Sequence, residues 1–236
     1  MGIDAELRRL ARELGADFYG VADLSVAREA VVEQGGEMLA GYDRAVSVGI
    51  RMVDEIVDML PEQREELAVA TGYLHHCYDV INRRLDEMTS RLAGALQQAG
   101  LKALPISAAE RHDDERICAV FSNKMAARLA GLGWVGKSCL LVTPSVGPRV
   151  RWASVLTDSA LQPTGSPLEQ ACGGCTECVD ICPVGAFTGR EFHQSEPREA
   201  RYDARSCETY LKRIRAETGW GVCGLCIAAC PHGRRR

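Results

Sequence analysis

Cys172-Gly-Gly-Cys175-Thr-Glu-Cys178-Val-Asp-Ile-Cys182-Pro183 decides how this chain is read. It is a C-x2-C-x2-C-x3-C-P run. Three closely spaced thiolates of such a run wrap one [4Fe–4S] cubane, and the fourth cysteine, carried away by the turn that the proline enforces, ligates a second. A half-run, Cys223-x2-Cys226-x3-Cys230-Pro231, follows it, one cysteine short. Cys207 is the candidate left in this region to complete the count. The spacing therefore assigns Cys172, Cys175, Cys178 and Cys230 to one cluster, and Cys182, Cys207, Cys223 and Cys226 to the other. Zinc is the competing metal, but a zinc ribbon takes two C-x2-C pairs and has no use for two Cys-Pro steps. Cys77, Cys118 and Cys139 stand alone in apolar surroundings and read as small buried hydrophobes.

Working outward, compartment decides between disulfides and metal for a chain with 11 cysteines. The N-terminal stretch has no apolar core for a signal peptide, and no run of about 18 apolar residues occurs. Arg8-Arg9 precedes an amphipathic pattern, which is not a twin-arginine signal. A cytoplasmic, reducing location without a membrane segment is expected, where thiolates stay available to metals. The 236 residues, 46% apolar and 25% charged, allow a real core and exclude a fibrous or disordered chain. A net charge of −4 argues against nonspecific nucleic-acid binding. Arg234-Arg235-Arg236 reads as a solvated tail.

Upstream of the cysteines the chain alternates helix and strand, an α/β (α+β) pattern. Leu7, Leu10, Ala11 and Leu14 share a helix face closed by Gly15. Residues 17–23 and the alternation Val46, Val48, Ile50, Met52 read as strands. Glu65–Ala99 reads as one long helix, with Leu74, Tyr78, Ile81, Leu85, Met88, Leu92 and Leu96 on one stripe. Residues 101–107 look extended, and 122–129 helical. Residues 139–143 and 150–157 look like paired strands. Gln162–Pro167 reads as a linker, dividing an α/β domain (1–162) from a cysteine domain (163–236). Hydrophobic periodicity fades beyond it, so the second domain needs its clusters for cohesion.

Gly131-Leu-Gly-Trp-Val-Gly-Lys-Ser138 spells both a phosphate loop and a dinucleotide fingerprint. Both require a strand before and a helix after, so that the helix N-terminus faces phosphate. Here a helical pattern leads in and a strand leads out, which excludes both. What remains is a turn of Gly133, Gly136, Lys137 and Ser138 with exposed amides beside a cation, able to hold an anionic or amide-bearing ligand, or simply a helix-to-strand connection.

The succession of Leu10–Asp23 (LARELGADFYGVAD), Ala45–Met52 (AVSVGIRM), Gly72–Met88 (GYLHHCYDVINRRLDEM), Ala130–Pro144 (AGLGWVGKSCLLVTP), Cys172–Phe187 and Cys207–Leu211 resembles the epoxyqueuosine reductases and, more distantly, the corrinoid reductive dehalogenases. The resemblance implies a nitroreductase-like, cobalamin-binding-type domain followed by a two-cluster ferredoxin-like domain. It also implies that the clusters pass single electrons to a cobalamin cofactor and that Gly133, Gly136, Lys137 and Ser138 line the corrinoid site. Two departures accompany it. The chain ends six residues after Cys230, before the family's C-terminal extension. The family's proton-donating Asp falls on Ile106 or Ile117, depending on the matching. The polar stretch Glu110–Glu115 could substitute but reads as a solvated loop. His75 and His76 read as one surface and one inward residue.

The expected function is a corrinoid-dependent iron–sulfur reductase acting on a small substrate, fed by a ferredoxin or flavodoxin. The alternative is an electron-transfer or activation protein that reduces a corrinoid held by a partner protein. Clusters of purely structural use, as in some nucleic-acid enzymes, fit the acidic balance less well.

Overall fold

A computed structural model describes residues 2–234, and Arg235 and Arg236 of the basic tail lie outside it. The fold is mixed α and β, and its residues gather into two compact units that are each discontinuous in sequence.

The first unit comprises residues 1–50, 81–132 and 151–168. Its centre is a four-stranded sheet in the order β1-β2-β6-β3, with β1 Phe18–Asp23, β2 Arg44–Arg51, β3 Ala103–Ile106 and β6 Val150–Thr157. β1 runs antiparallel to β2, from Phe18 opposite Gly49 to Asp23 opposite Arg44, and β3 runs antiparallel to β6. Val46, Val48, Val155 and Leu156 are fully buried, as strands covered on both faces require. Helices α1 (Ile3–Glu13), α2 (Arg28–Gly35), α5 (Ile81–Gln98) and α6 (Asn123–Leu129) cover it. α5 lies along β3 and against α1, burying Ile81, Leu85, Met88, Leu92 and Leu96. α6 starts on Ser122, whose side chain accepts from the Met125 amide, and packs on β1.

The second unit comprises residues 51–80, 133–150 and 169–236. It contains α3 (Asp54–Gln63), α4 (Leu67–Gly72), a π-helical segment (Tyr73–Val80) and a short antiparallel hairpin of β4 (Trp134–Val135) and β5 (Leu141–Val142). After these come α7 (Glu177–Asp180), α8 (Ala204–Thr218) and α9 (Leu225–Ala228). α3 packs on α4 and α9, and α7 on α9. Arg149 is fully buried and donates to Asp54 Oδ1 at 3.2 Å and Asp58 Oδ1 at 2.5 Å.

Two expectations need correction. Residues 139–143 and 150–157 do not pair with each other: Leu141 lies opposite Val135, and Val150–Thr157 runs beside β3. The Pro144–Pro148 turn that suggested a hairpin instead changes direction, closing on itself through reciprocal Thr143 and Gly147 backbone bonds. The helix expected over 65–99 is three segments, with a π-helical middle. A π turn is wider than an α turn. The buried positions there are Tyr73 and Cys77, four apart, in place of Leu74 and Tyr78. The segment 162–167 has no regular structure but is stitched down: Thr164 Oγ1 accepts from the Val21 amide and donates to the Ala130 carbonyl, both at 3.0 Å. α2, α3 and α8 were not anticipated. α8 carries readable stops, with Asp203 as N-cap accepting from the Ser206 amide and Gly219 at φ +86° as its C-cap.

Candidate iron–sulfur site

The first cysteine run is a chain of tight turns. The Cys175 amide donates to the Cys172 carbonyl at 2.9 Å, and α7 then lifts Cys178 out of the loop. The turn after it presents Cys182, whose sulfur accepts from the Ala186 amide at 3.3 Å. In the second run Gly224 takes φ +72°, turning the chain between Cys223 and α9, which carries Cys226. The Gly233 amide closes on the Cys230 carbonyl at 3.0 Å. Cys207 sits in the first turn of α8.

These turns bring Cys172, Cys175, Cys178 and Cys230 to the walls of one cavity, together with Gly136, Lys137 and His232. The Cys178 thiol is pushed up to about 11, first by burial and then by the neighbouring Cys230, Cys172 and Cys175. The other four are neighbours of one another. Burial holds the Cys226 thiol far above its ordinary value, with Cys223 and Cys207 adding to it and Cys178 and Cys182 following. Cys223 and Cys207 are raised for the same leading reason, and each feels Cys182. Cys178 and Cys226 thus connect the two sets.

Buried thiols with raised pKa values stay protonated at neutral pH, and iron must displace those protons on binding. Four sulfurs around an enclosed volume are a donor set for a cubane. Among the described residues, no three His, Cys, Asp or Glu side chains close on a single metal ion.

Two contacts beside the sulfurs have no sequence signal. Lys137, only 8% exposed, donates its ammonium to the carbonyls of Gly173 at 2.6 Å and Cys175 at 3.1 Å. The Tyr202 hydroxyl hydrogen-bonds the Cys207 thiol, and its ring stacks on Phe187 with centroids 5.1 Å apart. Both pairs join residues that are remote in sequence or separated by a helix start, where spacing carries no information.

Residues 171–233, which hold all eight cysteines, match the family described as the 4Fe-4S double cluster binding domain. The chain carries a domain for two [4Fe–4S] clusters. Over most of its length it is similar to epoxyqueuosine reductases. It is 27% identical over 243 residues to the epoxyqueuosine reductase of Pseudomonas aeruginosa, covering 95% of this chain and 61% of that one. The chain therefore spans under two thirds of that relative's length. In fold it is similar to a reductive dehalogenase whose structure suggests a mechanism for B12-dependent dehalogenation (TM-score 0.66, 20% identity, 97% of this chain and 31% of that one). It is likewise similar to an epoxyqueuosine reductase solved with an epoxyqueuosine-modified tRNA stem loop (TM-score 0.60, 20% identity, 97% and 64%).

The residues expected beside a corrinoid are placed as follows. Gly133 immediately precedes β4, where an added Cβ would meet the Val142 carbonyl at 2.3 Å. Gly136, Lys137 and Ser138 line the thiol cavity, and the Lys137 ammonium is taken up by cluster-loop carbonyls. Gly136, Lys137 and Ser138 thus share a cavity with four of the cysteines. Ile106 is buried at the end of β3, and Ile117 takes φ +51° in a turn between Asp113 and Cys118. The 110–115 stretch is largely exposed. Asp113 is held below the usual carboxylate range, chiefly by the Arg116 amide. His75 is exposed, and His76 has its Nδ1 buried. Cys77 and Cys139 are buried, and Cys118 is half-buried. Among the described residues no helix is long and apolar enough to cross a membrane. Arg234 pairs with Glu177 at 2.7 Å.

Proposed function

We propose that this chain is an iron–sulfur reductase of the epoxyqueuosine reductase type, in which Cys172, Cys175, Cys178 and Cys230 hold one cluster and Cys182, Cys207, Cys223 and Cys226 the other. The observation that carries it is the convergence of the first four thiols on one cavity, with the second four gathered beside them. The clusters supply one-electron transfer. The chain's own part is to bury the thiols away from water, hold each loop by its turn bonds and set the two groups in succession through Cys178 and Cys226. A ferredoxin or flavodoxin is the proposed electron donor, and cytoplasm the proposed location.

The likeness to a B12-dependent dehalogenase supports a corrinoid as the acceptor. The likeness to a reductase bound to a tRNA stem loop supports epoxyqueuosine in tRNA as the first substrate to test, which revises the expectation from net charge that nucleic acid plays no part. A negative overall balance excludes only nonspecific phosphate binding, not a local site. A second reading, an electron-transfer or activation protein serving a corrinoid on a partner, is favoured by one observation. The family's acid falls on Ile106 or Ile117, and nearby Asp113 is held ionised.

Anaerobic purification should yield about eight irons per chain, and Cys175→Ser should lose about half of them. Colourless or zinc-containing protein refutes the reading. Tight cobalamin binding with a shifted visible spectrum, and reduction of epoxyqueuosine tRNA, select the enzyme over the carrier.

A further inference from the structure

Lys137 is a cation in the wrong place for an ordinary lysine. It is only 8% exposed, and its two hydrogen-bond acceptors are neutral backbone carbonyls. Among the described residues it forms no ion pair with an Asp or Glu. Burying an ammonium is costly unless an opposite charge compensates. The cavity it lines is walled by four cysteines, and a cubane held by four thiolates is anionic, more so after taking an electron.

On the reading that this cavity holds a cluster, we infer that Lys137 is a positioning residue that pins the Cys172–Cys175 turn and raises the reduction potential of that cluster. The pinning follows from the bonds. Gly173 sits at φ +49°, and the carbonyls of Gly173 and Cys175 both turn to the one ammonium. The peptide planes of the turn, and so the directions of its amides, are fixed with them. The electrostatic effect follows from Coulomb's law at short range in a water-poor site. One electron from the donor converts an oxidised cluster to its reduced form, adding a negative charge beside the ammonium and stabilising that product.

Redox titration of the holoprotein with dithionite, followed by electron paramagnetic resonance, tests this in Lys137→Gln, Lys137→Met and Lys137→Arg. Wild type should show two midpoints, and the wave missing from Cys175→Ser identifies the cluster beside Lys137. Wild type without two clusters refutes the underlying cluster reading itself. With both clusters present, the Gln and Met variants should lower that one midpoint and leave the other, while Arg keeps both. Loss of that cluster's iron in Gln and Met, with Arg retaining iron and midpoint, supports the same role. Midpoints unchanged in the Gln variant at full iron content overturn the inference, and so does an Arg variant that behaves like Met.

Discussion

A Cβ added to Gly224 would lie 2.8 Å from the Tyr73 hydroxyl and 2.6 Å from Leu60 Cδ1. The loop between Cys223 and Cys226 is thus pressed against the π-helical segment and α3, and the left-handed backbone at Gly224 excludes a side chain a second time. Gly224→Ala should cost about 1–3 kcal/mol from overpacking alone. It should also reduce iron per chain, because Cys223 and Cys226 lose their register. Combining it with Leu60→Ala should restore part of the iron. Full iron in the single variant would show that the loop has room to move.

Arg149 joins α3 to the turn at Pro231–Gly233. Its guanidinium is fully buried against Asp54 and Asp58, Arg51 also bonds Asp54, and the side chain fills the space that a Cβ on Gly233 would need. Removing one partner of a buried pair strands the other charge, at about 3–5 kcal/mol. Arg149→Met should therefore lower the thermal midpoint strongly. The double variant with Asp54→Asn should be less unstable than the two single losses added together. Additive losses would mean the pair is not coupled.

Tyr202→Phe tests the second cluster. The substitution removes the hydroxyl bonded to Cys207 and keeps the ring stacked on Phe187. Hydrogen bonds to cluster sulfur are one of the protein's means of setting potential. The midpoint of the wave that survives in Cys175→Ser should fall, with iron content unchanged. An unaltered midpoint would place the hydroxyl off the cluster.

Much of the first unit was legible because its signals are local. The helix at 3–13 and the strands at 18–23 and 44–51 follow from apolar spacing and from Gly15, where φ +83° ends the first helix. The mispaired 139–143 and 150–157 segments show the limit. Apolar alternation marks a strand but does not name its partner, and Val150–Thr157 took Ala103–Ile106, almost 50 residues away. The stripe error at Leu74 and Tyr78 has a similar origin, since a periodicity of 3.6 misplaces residues where the helix widens.

The cysteine spacing by itself determined that iron–sulfur clusters are bound, because a loop of two or three residues between thiols leaves few geometries and the cubane accepts one of them. Only the tertiary structure decided what surrounds the sulfurs. Segments 51–80 and 133–150, which read as parts of the α/β domain, belong to the unit that carries all eight cysteines. Lys137, Tyr73 and Arg149 reach the cluster loops from there. Burial and charge depend on which distant segments share a volume, and spacing along the chain does not encode that.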